Sequence, residues 1–258
     1  MITQGPLNRI FREWDPCGQA TTTVQQILQS AVAPRPVALV STVNAQWDVN
    51  LSPFSFFNVF GANPPILIFS PARRVKNNTT KHTLDNALAT KQVVINVVNY
   101  AIVQQMSLSS SDYPQGVNEF EKAGFTMLPS EKIQPFRVAE SPVQFECKVN
   151  DVIFTGEKGG AGNLIVCEVL KIHIDPSVLD ESGMVDSLKL DLVSRMGADW
   201  YCRADRNSMF EIKKPITTCG IGMDSLPKDI LESSILTGQD LARLAGITEL
   251  PNETEVNE

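Results

Sequence analysis

Two segments late in the chain set apolar against polar positions with a period of two. Val143, Phe145, Cys147 and Val149 are interleaved with Gln144, Glu146, Lys148 and Asn150, as in a strand with one wet face. Leu164 to Ile174 has the same character. Apolar runs at about 36–43, 66–70 and 93–98 predict further, buried strands. Helical spacing is briefer. It predicts helices over Thr21–Ala31 (Val24, Ile27, Leu28), over 83–90 with Thr83 as N-cap, and over 101–109 and 118–123. After Arg195 the pattern is loop-rich, with two short helical stretches within 227–246 and a polar, frayed end at 251–258. Short strands separated by turns, with few long helices, predict a mainly β barrel or sandwich with peripheral helices. No GxGxxG follows a strand, which argues against a dinucleotide-binding doubly wound sheet.

Composition narrows the function classes. The chain has 258 residues, 43% of them hydrophobic, enough for one large domain with an extension. No apolar run approaches the roughly 20 residues that span a bilayer. The opening MITQGPLNRIFREWD lacks the basic-then-apolar order of a secretory signal, so a cytoplasmic protein without a membrane partner is expected. The 5 cysteines include no CxxC pair and the 2 histidines no HExxH, so neither a disulfide framework nor a metal site is expected. Cys147 and Cys167 fall within strand patterns, as buried thiols do. The net charge of −7 is uneven: acids crowd residues 223–258, whereas 71–91 carries Arg73, Arg74, Lys76, Lys81 and Lys91 against Asp85 alone. That island is too local for a nucleic-acid face. It reads as a solvated loop or as a site for a small anion.

The stretch from Ala33 to Ser70 carries the most chemistry. Pro34-Arg35-Pro36 leads into one apolar strand, and Asn50-Leu51-Ser52-Pro53-Phe54-Ser55-Phe56-Phe57-Asn58 precedes another. Hydroxyls, an amide, aromatics and an arginine between two buried strands suit a flat aromatic ligand with polar edges. Phe56 is read as core, and Trp47 as loop surface. Lys81-His82-Thr83 opens a predicted helix, where free N–H groups and the positive dipole end attract an anion such as a phosphate monoester. The segment Gly156–Asn163 has no Gly-Lys-Ser/Thr and reads as a turn between strands. His173 points away from the face of Ile172 and Ile174. No Ser-His-Asp set is evident, so no catalytic side chain is assigned and a bound cofactor is expected to do the chemistry.

These residues resemble the flavin reductase-like, FMN-binding split-barrel family that includes flavoredoxin. The matching pieces are PRPVALVST (34–42), NLSPFSFFN (50–58), NPPILIFS (63–70), KHT (81–83), VINVV (94–98), YPQGVNEFEKAG (113–124), AESPVQFEC (139–147), GAGNLIVCEVLKIHI (160–174) and VSRMGADWY (193–201). The resemblance covers about residues 20–215. Residues 1–20 read as an irregular arm, and the acidic 216–258 contains a tail (226–246) that looks like the C-terminal extension of a longer branch of the family. The resemblance implies a Greek-key split β-barrel (21–215). It further implies an FMN-dependent oxidoreductase, with NADH or NADPH as co-substrate and a small-molecule or protein electron acceptor. The protein is expected to be a homodimer with FMN near the subunit interface. The flavin ring is expected against a 50–55 loop (Asn50, Leu51, Ser52, Ser55), and the phosphate near Ser70, Lys81 and Thr83. Arg35, Ser41, Thr42 and Asn58 are further cofactor-binding candidates, with Arg195 and Tyr201 from the RxGxxxY piece. Two departures stand out. His82 replaces the usual Asp of Lys-Asp-Thr, and Asn163 stands where some shorter members carry a His. The second leaves open a flavin electron carrier with little NAD(P)H activity, and a flavin-free binding protein is a third reading.

Overall fold

The computed structural model describes residues 10–212 and 219–249. Its contacts divide the chain into Asp15–Met209 and a second unit made of Met1–Trp14 with Phe210–Glu258. The expected fraying of 251–258 lies outside the described residues.

Asp15–Met209 is mainly β, as the pattern predicts. Its strands are β1 (Arg35–Pro36), β2 (Ala38–Val43), β3 (Val49–Phe54), β4 (Phe57–Ala62), β5 (Pro65–Phe69), β6 (Gln92–Val97), β7 (Met127–Leu128), β8 (Arg137–Val138), β9 (Val143–Phe154), β10 (Asn163–Ile174), β11 (Val193–Arg195) and β12 (Tyr201–Arg203). Helix α1 (Thr21–Ala31) precedes them, and α2 (His82–Thr90), α3 (Val103–Leu108), α4 (Glu119–Ala123) and α5 (Ser187–Leu190) lie between them. Seven strands form one antiparallel sheet in the order β3-β2-β6-β9-β10-β5-β4, and a separate sheet runs β1-β11-β12. Its two edges, β3 and β4, are joined through Ser55 and Phe56 alone. A linker that short spans at most about 10 Å. The edges must therefore approach each other, and the sheet rolls into a barrel.

The continuous apolar run of β2 follows from burial on both faces. Ala38 and Val40 join Phe54, Phe69, Leu84, Ile95, Cys147 and Cys167 in one core, with Leu84 and Ala87 of α2 packed into it. Leu39 points the other way, into a core with Leu51, Met106 of α3, Phe120 of α4 and Val193. Cys147 and Cys167 are buried as expected, and burial pushes both thiols up, well away from the reactive thiolate range.

Three local expectations are corrected. The 50–55 segment is a strand rather than a loop, because Asn50–Phe54 pair with Thr42–Ala38. The N-cap of α2 is Lys81 rather than Thr83, which lies inside the helix with its hydroxyl engaged by Asn50. Phe56 sits at the corner between the sheet edges, 38% exposed, and is not core. Trp47 is exposed as expected.

The turn between β9 and β10 does more than join strands. It docks on the basic loop: Arg73 N–H donates to Ala161 O (2.9 Å), Gly160 N–H to Arg73 O (2.9 Å) and Asn78 Nδ2 to Glu157 O (3.0 Å). A Cβ on Gly159 would lie 2.9 Å from Val75 Cα and 3.0 Å from Arg74 O, atoms of backbone that cannot rotate aside. Gly159→Ala is expected to cost about 1–3 kcal/mol by forcing the two loops apart. Thermal unfolding measures this, and an unchanged midpoint would show that the loops are not closely docked.

In the second unit, α6 (Lys228–Leu231) and α7 (Gly238–Leu244) are the two short helices expected within 227–246. Leu226, Leu241 and Ala245 form a small core with Ile221, Ile230 and Leu236 around it. Thr237 and Asp240 close a capping box at the start of α7. Among the described residues no helix is long and apolar enough to cross a membrane.

Candidate cofactor-binding site

Most of the cofactor candidates divide into two neighbourhoods. The first is a cavity of about 240 Å³ lined by Arg35, Phe54, Ser55, Arg195 and Tyr201, with Met106, Ser107 and Ser110 beside them. Pairing of β1 with β11 sets Arg35 directly opposite Arg195, and β11 with β12 sets Arg195 opposite Tyr201. Arg195 Nη1 donates to Tyr201 Oη at 2.7 Å, and the guanidinium lies 4.7 Å from the ring centroid. Arg35 Nη1 donates to the carbonyls of Gln29 and Val32, and Nη2 to Met196 O at 2.9 Å. Its Nε is buried without a hydrogen-bond partner. Burial, and then the charge of Arg195, lower Arg35 from its usual value. Two guanidinium groups on one wall make this an electropositive cavity.

The second neighbourhood is a crevice beneath the start of α2. It is lined by Asn50, His82, Asn86 and Glu119, with Gln115, Gly116 and Val117 on the far side. Asn50 Nδ2 donates to Thr83 Oγ1 (2.9 Å), and Asn86 Nδ2 to Thr42 Oγ1 (3.0 Å). Thr42 and Thr83 are fully buried, so this network pins α2 onto β2 and β3. Leu51 N–H donates to Glu119 Oε2 at 3.0 Å and is thereby occupied. Burial pushes the Glu119 carboxyl up, partly offset by that amide. Lys81 is half-buried. Burial and then Arg74 lower its pKa, while Asp112 acts against them.

The remaining candidates stand apart. Ser41 is buried and donates to Phe136 O. Ser52 is half-buried on β3, on the face of Asn50 and Phe54. Asn58 is exposed, and its Oδ1 accepts from Val59 N–H. Ser70 Oγ accepts from Asn163 N–H at 3.0 Å. Asn163 is fully buried. Its Nδ2 donates to Pro71 O (2.7 Å), while its Oδ1 has no partner.

Sequence reasoning passed over Glu119, Asn86 and Asp112. Asn86 follows Thr83 by three residues, one helical turn, and that spacing could have flagged it. Glu119 reaches Leu51 across 68 positions, and Asp112 reaches Arg74 across 38, so local patterns carry no trace of either.

Comparison with known proteins places this geometry. Residues 30–189 match the model of the flavin reductase like domain. An uncharacterized protein of Aquifex aeolicus is 35% identical over 182 residues, covering 70% of this chain and 90% of that protein. The crystal structure of nitrilotriacetate monooxygenase component B from Bacillus cereus superposes with a TM-score of 0.74 at 26% identity, covering 79% of this chain and all of that one. A split-barrel-domain protein of Shewanella frigidimarina shares the fold, with a TM-score of 0.64 at 24% identity over 76% of this chain and 95% of its own. The rolled sheet is thus a split barrel, and the match spans more than half of the sequence. By sequence and by fold, this chain belongs to the flavin reductase-like family.

Proposed function

We propose that the protein binds FMN and works as an oxidoreductase of the NAD(P)H:flavin reductase type, passing electrons to a small-molecule or protein acceptor. The observation that carries this reading is the convergence of Arg35, Ser55, Arg195 and Tyr201 on one cavity in a chain of this family. The guanidinium groups of Arg35 and Arg195 on its wall ask for an electron-rich acceptor. The carbonyl-rich edge of a flavin ring offers one. When bound, FMN supplies the hydride and electron transfer, and its ring gains negative charge on reduction.

The chain's own residues would do the rest. Arg35 and Arg195 would face the ring's charge from the cavity wall. Ser55 would offer a hydroxyl to its polar edge, and Pro53, Phe54 and Met106 would keep water out. Lys81, with the free N–H groups at the start of α2, would hold the phosphate. Thr83 and Asn50 would act one step back, by fixing that helix start. A cavity of about 240 Å³ falls below the roughly 300–1,000 Å³ of sites that bury such ligands. A homodimer would supply the missing cover. Its natural contact is β4, an edge strand without charge that exposes Val59 and Phe60 and invites pairing.

Protein incubated with FMN and desalted should stay yellow, and light scattering should return twice the 28.4 kDa chain mass. Anaerobic mixing with NADH or NADPH should bleach the flavin rapidly. A colourless protein after FMN loading would overturn the proposal. One observation favours a second reading, an electron carrier with little NAD(P)H activity. Asn163, which replaces the His of some shorter members, is fully buried and bound to Pro71. Retained flavin that neither nucleotide bleaches would decide for the carrier.

A further inference from the structure

The segment from Ser107 to Val117 borders both halves of the candidate site. Ser107 and Ser110 line the arginine cavity, and Gln115, Gly116 and Val117 line the crevice under α2. Residues 110–117 contain no regular element. Among the described residues, their hydrogen bonds run to neighbours within three positions, with one exception. That exception is Asp112, whose carboxylate accepts from Arg74 Nη2 at 3.0 Å. Arg74 in turn donates through Nη1 to Thr79 Oγ1 (3.2 Å) and to Thr80 O, so it is braced on the basic loop. The charge of Lys81 also acts on Asp112, while Asp85 accepts from Thr80 Oγ1 at 3.1 Å. The strap therefore lays a carboxylate among the cations that open the phosphate site.

We propose that Asp112 is an internal competitor for the ligand's phosphate, a latch that holds the 110–117 strap across the site until an anion displaces it from Arg74. This rests on the FMN reading above and adds a gate to it. The latch is weak by construction. The Asp112 side chain is 73% exposed, and exposed ion pairs contribute little and are screened by salt. A competitor of that strength sets affinity without blocking the site.

The test titrates wild type, Asp112→Asn and Asp112→Glu with FMN and with riboflavin, which lacks the phosphate, following flavin fluorescence. Asp112→Asn should bind FMN about 2- to 5-fold more tightly at low salt, with riboflavin affinity unchanged, and Asp112→Glu should return FMN affinity toward wild type. Hydrogen exchange at 110–117 should be faster in Asp112→Asn and in FMN-loaded wild type than in the free protein. FMN affinity unchanged in Asp112→Asn, or FMN and riboflavin strengthened alike, would overturn the latch while leaving the FMN reading intact. Failure of wild type to bind FMN at all would overturn both.

Discussion

Lys81→Ala is expected to weaken FMN binding by about 1–3 kcal/mol, the range for a hydrogen bond to a charged partner, or roughly 5- to 150-fold in Kd. The lysine precedes α2, half-buried and crowded by Arg74, and both effects lower its pKa. A bound phosphate would raise that pKa again. Affinity is then full below the free lysine's lowered pKa and is lost as pH rises through the bound value. Wild type should weaken on the alkaline side, and Lys81→Ala should not show that fall. Riboflavin binding should be the same in both proteins, since it has no phosphate to lose. Equal FMN affinity in the two would move the phosphate site elsewhere, the electropositive wall of Arg35 and Arg195 being the alternative.

Glu146→Ala is expected to cost about 3–5 kcal/mol of stability, as when one partner of a buried polar cluster is removed. The Glu146 side chain is fully buried on β9. It accepts from the backbone N–H groups of Glu131 (2.8 Å) and Lys132 (2.6 Å), and it meets His173 Nε2 at 2.7 Å. Removing the carboxylate leaves those part-buried groups without their partner. In a domain of this size the loss lowers the melting temperature by roughly 6–20 °C. Burial pushes this carboxyl up, but the two amides and His173 together overcome it and hold the group below its usual value. A depressed carboxylate contributes stability that is present above its unfolded value, near about 4.3, and is lost as pH falls through the folded one. Glu119 has the opposite sign: its pKa is raised, so its contribution fades as pH rises through the folded value. Acid titration of the unfolding free energy should therefore be shallower in Glu146→Ala. A loss under about 1 kcal/mol would mean that water replaces the carboxylate at little cost.

The hairpin of β9 and β10 was legible because one of its faces is wet, so polarity alternates along the chain. Strand β3 was not, because Asn50, Ser52 and Pro53 interrupt its apolar pattern. A proline is tolerated there because β3 pairs on one side only, as an edge strand. Strand β4 lacked a signal for the converse reason: it exposes Val59 and Phe60, where the usual strand pattern expects polar residues. Thr83 was a sound N-cap by local preference, yet its hydroxyl is claimed by Asn50 from 33 positions away. The same distance effect hides Glu119 from Leu51 and Asp112 from Arg74. The RxGxxxY spacing did carry information. Arg195 and Tyr201 face each other across the turn between β11 and β12, where Ala198 adopts a positive φ of 50°.

The strand pair β1–β11 joins residues some 160 positions apart, and it brings the two arginines of the cavity together. All seven strands of the large sheet are complete by Ile174, and the matched family span ends at 189, before Arg195 and Tyr201. Barrel and cavity are therefore built from different stretches of chain. A nascent polypeptide can finish the first while lacking the second, so ligand capture reports on the completeness of the chain and not merely on its folding. Any molecule held there favours the chain with β1 and β11 joined, by RT ln(1 + [L]/Kd), and acts as a clasp on the last strands to arrive.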